Sequence, residues 1–139
     1  MNVAEIKTVG DFVRRKIEML DKESSKSQAM CAKLRRSIGK PPGATPDIWE
    51  VTIQGTPESW RSRNDEPSFA EWAVHTALPL YALHKQGKSE SMHNYEVSFA
   101  SAVARLVKLD DNRQDAIRRR FNAVATSANF TELSYHARD

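Results

Sequence analysis

The chain has 139 residues, one cysteine and a formal net charge of +3, which indicates a single domain large enough to fold without a disulfide or a metal ion. The lone Cys31 excludes an internal disulfide and is typical of a protein in the reducing cytoplasm. No apolar run reaches the roughly 18 residues that span a bilayer, and the first residues lack the order of a signal peptide, so we expect neither a membrane nor a secreted protein.

Two amphipathic helices are predicted in the first 40 residues. Thr8 or Asp11 can cap the first, which ends near the polar run DKESSKS. Its inward residues recur at helical spacing and are Val9, Phe12, Val13, Ile17 and Leu20. Ser25 or Ser27 opens the second helix, which Gly39 and the prolines that follow it close. Its inward residues are Met30, Leu34 and Ile38.

A short third helix is predicted from its first turn. Thr45, Pro46 and Asp47 are typical of a cap, a first helical proline and a first-turn acid. The inward residues of this helix are Ile48, Trp49, Val51 and Ile53. Residues 54–67 lose the helical period and are rich in Gly, Pro, Ser and charge, so we expect a surface loop there.

The longest helix begins after Ser68 and ends at Gly87. One face carries Phe69, Trp72, Ala73, Thr76, Leu80 and Leu83, and a second apolar stripe widens it with Val74, Ala77, Leu78 and Tyr81. So broad an apolar surface predicts a central helix packed on two sides. Pro79 lies inside the helix and predicts a kink rather than a break.

A helical hairpin is predicted over residues 98–124. Ser98 caps its first helix, and residues 110–112 supply the turn and the next cap. The predicted inward residues are Phe99, Ala102, Val103 and Leu106, then Ala116, Ile117, Phe121 and Val124. Asn129 or Thr131 begins one more helix. With no alternating strand pattern, the class is all-α, a bundle of about six to seven helices forming one domain over residues 1–139.

Catalytic and metal motifs are missing, and we predict no catalytic residue, no metal and no cofactor. Glu71 and His75 lie one helical turn apart and could supply half a metal site, but a pair on the helix surface is favoured. Trp49 and Trp72 are assigned to the core by their phase, whereas Trp60 in the loop stays open as a base-stacking residue. The chain is therefore not expected to be an enzyme.

Positive charge is segregated along the chain. Residues 26–40 hold five basic residues and no acid, and residues 105–120 hold six basic residues against three Asp, whereas residues 47–71 hold six acids against two Arg. The candidate nucleic-acid-binding residues form an early cluster of Lys33, Arg35 and Arg36 and a late cluster of Arg105, Arg118, Arg119 and Arg120. Arginine can hold phosphate oxygens bidentately, so the two clusters favour backbone binding with little sequence preference. The alternative interpretation is a solvated helix face.

Several short motifs in a fixed order carry a resemblance to a known family. They are CAKLRRSIGKPP at 31–42, then Asp47-Ile48-Trp49, then Leu80 to His84, then Ser98-Phe99 before Ala102 and Leu106, then Arg118-Arg119-Arg120-Phe121. From about residue 12 onward the chain resembles the CasB family, the small subunits of the type I-E CRISPR surveillance complex Cascade.

The resemblance implies an all-helical, non-catalytic subunit present in two copies in that complex. It implies contacts with the backbone and large subunits, and a basic surface that stabilises the R-loop of guide RNA and target DNA by holding the displaced strand. Arg35 and Arg36 match the paired arginines of the family's early helix, and Arg118 and Arg119 match the pair before its late aromatic residue. Lys33, Arg105 and Arg120 are added from charge geometry.

Members of the family continue into a further C-terminal bundle, so residues 126–139 are expected to begin a bundle that is incomplete here. Two other functions stay open. A pure scaffold would use its arginines against acidic surfaces of neighbouring subunits. A free-standing helical DNA-binding regulator would need a recognition helix set by a short turn, and no compact helix-turn-helix is evident.

Overall fold

The computed structural model describes residues 2–138, and this part of the chain is all-helical. It contains seven α-helices: α1 Val3–Leu20, α2 Ser25–Arg36, α3 Trp49–Thr52, α4 Phe69–Lys85, α5 Phe99–Leu109, α6 Gln114–Ala125 and α7 Phe130–Ala137. Three single 3₁₀ turns, Pro46–Ile48, Glu58–Trp60 and Asp111–Arg113, precede α3, α4 and α6. The predicted all-α class is confirmed. None of the helices within residues 2–138 has both the length and the apolar character needed to cross a bilayer.

Polar caps fix where most helices begin. Ser68 and Glu71 form a capping box at α4, and Ser98 and Asn129 cap α5 and α7 as predicted. The predicted start of α1 was wrong by about two helical turns. Asn2 forms a capping box with Glu5, so the helix begins at Val3 rather than after Thr8 or Asp11.

The chain forms two compact units, Met1–Met92 and His93–Asp139. The assignment of residues 1–139 to one domain stays a prediction.

The core of the first unit lies where α4 packs on α1, α2 and α3. Its buried apolar residues are Val9, Phe12, Ile17, Leu20, Met30, Cys31, Leu34, Ile48, Val51, Trp60, Ala70, Val74, Leu78 and Ala82. The central position of α4 is therefore confirmed. Pro79 is buried inside α4, and the helix continues past it to Lys85. Gly87 follows with a φ of 78°, a left-handed conformation that glycine adopts without strain, and so ends the helix as predicted.

The predicted apolar face of α4 is confirmed in part, since Val74, Thr76 and Leu78 are buried. Its buried stripe runs through Ala70, Val74, Leu78 and Ala82, whereas Phe69 is 70% exposed. Ala70 and Ala82, which were not predicted to face inward, continue this stripe at i,i+4 spacing on the helix that packs against α1 and α2.

Two tryptophans also differ from their predicted positions. Trp49 is 46% exposed, and its indole N–H donates to the Gly43 carbonyl at 3.2 Å. Trp60 is buried and packs edge-on against Phe12, with 5.4 Å between ring centroids. The short 3₁₀ turn Glu58–Trp60 places this loop residue over α1. Trp60 is therefore a core residue and not a free surface for a base.

The second unit is the predicted hairpin of α5 and α6, followed by α7. Phe99 and Phe121 pack together across the hairpin with 5.9 Å between ring centroids. No described residue of this unit is buried, and Leu106, predicted to face inward, is 51% exposed. Three short helices enclose too little volume to cover an apolar stripe on α5, so the hairpin is confirmed whereas the burial of its seam is not.

Candidate nucleic-acid interface

The early cluster occupies the last turns of α2, and its three residues differ in exposure. Arg36 is exposed, whereas Lys33 and Arg35 are half-buried. The Nη1 atom of Arg35 donates to the main-chain carbonyl of Ala82 in α4 at 3.3 Å. Arg35 therefore ties α2 to α4 and has its guanidinium group held in one place, which an isolated helix face would not provide.

A carboxylate from a distant part of the chain reduces the positive charge of α2. Lys26 Nζ donates to Glu50 Oε1 at 2.9 Å, and Lys16 Nζ donates to the Glu50 main-chain carbonyl at 3.0 Å. The hydrogen bond and charge of Lys26 lower the pKa of Glu50, and the charges of Lys16 and Lys33 add to that lowering. The sequence did not indicate this ion pair, because Glu50 follows Lys26 by 24 residues and is not an i±4 neighbour of a lysine in α2.

Next to the early cluster lies a polar network that the sequence did not reveal. Lys85 Nζ donates to Asp21 Oδ1 at 2.5 Å, and the Tyr81 hydroxyl donates to the same oxygen. Ser91 and the main-chain N–H of Met92 also contact the Tyr81 hydroxyl at 3.3 Å. Tyr81 and Lys85 are one turn apart on α4, a spacing that could have indicated a shared partner, but nothing in the sequence identifies that partner as Asp21.

The late cluster lies wholly in the second unit. Arg105 is exposed on α5, and Arg118, Arg119 and Arg120 are exposed on α6, which packs against α5. Within residues 2–138 none of these four arginines forms an ion pair, whereas Arg113 at the start of α6 lies 3.7 Å from Asp110. These four guanidinium groups are therefore free to meet an anion from outside the chain.

The structure brings Lys33, Arg35 and Arg36 together on one helix end, and Arg105 and Arg118 to Arg120 together on one hairpin. The two clusters belong to different compact units. The hypothesis that they form one continuous cationic track stays a prediction.

The residues considered for metal binding have other roles. In the described chain, no group of three or more His, Cys, Asp or Glu side chains is arranged to hold a metal ion. Glu71 accepts from the main-chain N–H groups of Ser62 and Ser68 at 3.0 and 3.3 Å. His75 is not on the helix surface as predicted but 5% exposed, with Nε2 2.7 Å from the Lys40 carbonyl. It packs the connection between α2 and α3 against α4.

The family profile described as CRISPR-associated protein Cse2 matches residues 30–139, which include both clusters. The chain belongs to the Cse2 family. Its fold is also similar to the crystal structure of CasB from Thermobifida fusca, with a TM-score of 0.69 and 25% identity, over 95% of this chain and 72% of that chain. Together the two matches confirm the resemblance to the CasB family, the small subunits of type I-E Cascade. Comparison with curated protein sequences found no significant match.

Proposed function

We propose that this Cse2-family chain is the non-catalytic small subunit of a cytoplasmic type I-E Cascade and that its arginines hold the nucleic-acid backbone and stabilise the R-loop. The observation that carries the proposal is the late cluster: four exposed arginines on one hairpin, none of them paired with a carboxylate of the described chain. Its partners would be the backbone and large subunits, the guide RNA and the target or non-target DNA, with two copies of the chain in the complex.

The energetics of an R-loop make a modest contact sufficient. Strand exchange replaces one duplex with another of similar stability, so a few contacts to the open state shift the balance. Each arginine that neutralises a phosphate also releases a counterion, which makes the binding dependent on salt. The guanidinium fork favours phosphate oxygens over the point contact of a lysine.

The proposal is tested by reconstituting the complex with Arg118→Ala/Arg119→Ala and measuring its affinity for a duplex target. We expect the affinity to fall by about tenfold, because two charge-assisted phosphate contacts are lost. The matched control is Arg61→Ala/Arg63→Ala, which removes the same charge from exposed positions outside both clusters. An equal loss in the control, or no loss in the test variant, would remove the nucleic-acid role from the late cluster.

The second candidate function is a scaffold, and the exposed apolar residues of α5 favour it. Phe99, Leu106 and Leu109 are all exposed on this helix, which suits contact with another protein surface. In a scaffold the arginines would meet acidic groups of neighbouring subunits, and the arginine variants would reduce assembly before they reduced DNA binding. Size-exclusion chromatography of the reconstituted complexes separates the two functions.

A further inference from the structure

The first unit contains a cleft of about 670 Å³ beside the early cluster, and Arg35 belongs to both. It lies between the end of α1, one side of α2 and the end of α4. The charged residues of its lining are Asp21, Lys22, Glu23, Arg35, Lys85 and Lys88, and the amide side chains are Gln28 and Gln86. A volume of this size is within the range of small-molecule sites and is large enough for a nucleotide unit of one strand.

The free charge of the cleft is positive. Asp21 is engaged by Lys85 at 2.5 Å and by the Tyr81 hydroxyl, so this carboxylate is already neutralised inside the unit. Lys22 and Lys88 are exposed, and neither forms an ion pair within residues 2–138. Among the described residues of the lining the other acid is Glu23, for which residues 2–138 provide no ion pair, so three cations, Lys22, Arg35 and Lys88, stand against one carboxylate. This excess of positive charge favours an anionic ligand.

Arg35 supplies the oriented part of the cleft. One of its N–H groups donates to the Ala82 carbonyl at 3.3 Å, which holds the guanidinium plane beside the end of α4. A guanidinium has five N–H donors, so four are left after that bond. A held fork with free donors matches the paired oxygens of a phosphate group more closely than a mobile lysine does.

None of the described residues that line the cleft is aromatic. Base recognition by single-strand-binding proteins depends largely on stacking against such rings, so the cleft has no platform for a base. Its serines and Gln28 offer hydrogen bonds that a phosphate or a sugar could use. The chemistry is therefore that of backbone recognition without sequence preference.

We propose that this cleft binds consecutive phosphates of a single nucleic-acid strand through Arg35, Lys22 and Lys88, independently of base sequence. The proposal deepens the proposed function and rests on it, because it adds a concave site in the first unit, which includes Arg35 of the early cluster, to the exposed arginines of the late cluster. A volume of about 670 Å³ accommodates a nucleotide unit but not a turn of duplex, so the proposed bound form is one strand.

The test is an NMR titration of the full chain at low salt with an oligothymidylate of about twelve nucleotides, a length within the usual single-strand site sizes. We expect the main-chain amides of Ser24, Ser25, Gly87 and Lys88 to shift on binding. In Lys22→Ala/Lys88→Ala the oligothymidylate affinity should fall by about tenfold, because two phosphate contacts are lost. Both lysines are exposed, so the fold is not at risk.

Controls identify the ligand and the site. Lys7→Ala/Arg63→Ala removes the same charge from exposed positions outside the cleft and should leave the affinity within about twofold of wild type. Arg35→Lys keeps the positive charge but loses the planar guanidinium group. In this variant the same main-chain amides should shift, and the oligothymidylate should bind more weakly. Thymidine monophosphate and inorganic phosphate, at the same total phosphate concentration, should shift the same amides far less than the oligothymidylate.

Three results would overturn the proposal. Shifts confined to α6 would exclude the cleft and leave the late cluster as the binding site, so the proposed function would stand. Equal affinity for the monophosphate would make this a mononucleotide site rather than a strand site. An equal loss of oligothymidylate affinity in the Lys7→Ala/Arg63→Ala control would mean that binding depends on the net charge of the protein and not on the cleft. The proposed function fails separately, when the reconstituted complex keeps its target affinity in Arg118→Ala/Arg119→Ala.

Discussion

Asp21 is the side chain on which two helices of the first unit converge. It follows the last residue of α1 and accepts from Lys85 and Tyr81 of α4. Burial acts to raise the pKa of Asp21, but hydrogen bonds from Lys85, Ser91 and Tyr81 and the charge of Lys85 outweigh it, so the pKa is lowered. For Lys85, burial acts to lower the pKa, but the hydrogen bond to Asp21 and the charge of Asp21 outweigh it, so the pKa is raised.

We predict that Asp21→Asn lowers the free energy of unfolding by about 2–4 kcal/mol at neutral pH, because it leaves a largely buried lysine without its partner. A carboxylate whose folded pKa is lowered stabilises the fold above its ordinary value of 3.8, and that stabilisation is lost as the pH falls through the folded pKa. The difference in unfolding free energy between wild type and Asp21→Asn, measured by urea unfolding, should therefore become smaller as the pH is lowered. A difference that stays constant down to strongly acidic pH would contradict this.

His75 predicts a second pH effect with a different window. Burial lowers its pKa, and the hydrogen bond to the Lys40 carbonyl opposes this only in part. The fold therefore favours neutral imidazole, and its contribution is complete above the ordinary value of 6.5 and declines as the pH falls toward the folded pKa.

We expect His75→Gln, which keeps a side-chain donor for the Lys40 carbonyl, to remove most of the decline in unfolding free energy just below pH 6.5 that wild type shows. Urea unfolding at several pH values from neutral to mildly acidic measures it. His84→Gln is the control, since His84 is exposed, and it should keep the wild-type decline. The prediction is wrong if His75→Gln keeps the same slope.

Single residues whose roles depend on distant partners could not be predicted. Trp49 was predicted to be buried and is exposed, whereas Trp60 was predicted to lie in a surface loop and is buried. Burial depends here on which short turn reaches α1, and the spacing of apolar residues along the sequence does not show this. Glu50 pairs with Lys26, which is 24 positions earlier in the chain, and Asp21 pairs with Lys85, which is 64 positions later. By contrast, Ser68 and Ser98 were identified correctly, because capping is decided within one turn.

At the scale of elements, most helices were predictable from their caps and periods, whereas the face that each helix buries was less so. The stripe of α1 was identified because its large apolar residues all lie on one side. On α4 both predicted apolar stripes contribute buried residues, Thr76 from one and Val74 and Leu78 from the other, so the helical period alone did not define the buried face. On α5 the apolar stripe is present, but the described residues of the second unit do not bury it.

We predict that two leucine substitutions, both at positions expected from sequence to face inward, have very different costs. Leu34 in α2 is 0% exposed, so Leu34→Ala should cost about 2–5 kcal/mol of unfolding free energy. Leu106 in α5 is 51% exposed, so Leu106→Ala should cost at most about 0.5 kcal/mol. Chemical denaturation of the isolated protein measures both. An equal cost for the two would mean that the α5 face is covered in the free chain.

Across the whole molecule, charge segregation was visible in the sequence, and the structure refines it cluster by cluster. The late cluster remains exposed and unpaired in the described chain, as a polyanion-binding surface requires. The early cluster is more mixed, since Arg35 is held by α4 and Glu50 reduces the charge around Lys26 and Lys33. Whether the two clusters act on one strand depends on how the units are arranged, which no local pattern could predict.

The most direct test of the proposed function is the salt dependence of target-DNA affinity for the reconstituted complex. Wild type is compared with Arg35→Ala/Arg36→Ala, with Arg118→Ala/Arg119→Ala and with the quadruple variant. Each lost phosphate contact should reduce the magnitude of the slope of log affinity against log salt by about 0.7–0.9, and the quadruple variant should show the sum of the two doubles. Slopes equal to wild type in all three variants would contradict the proposal that these arginines hold the nucleic-acid backbone.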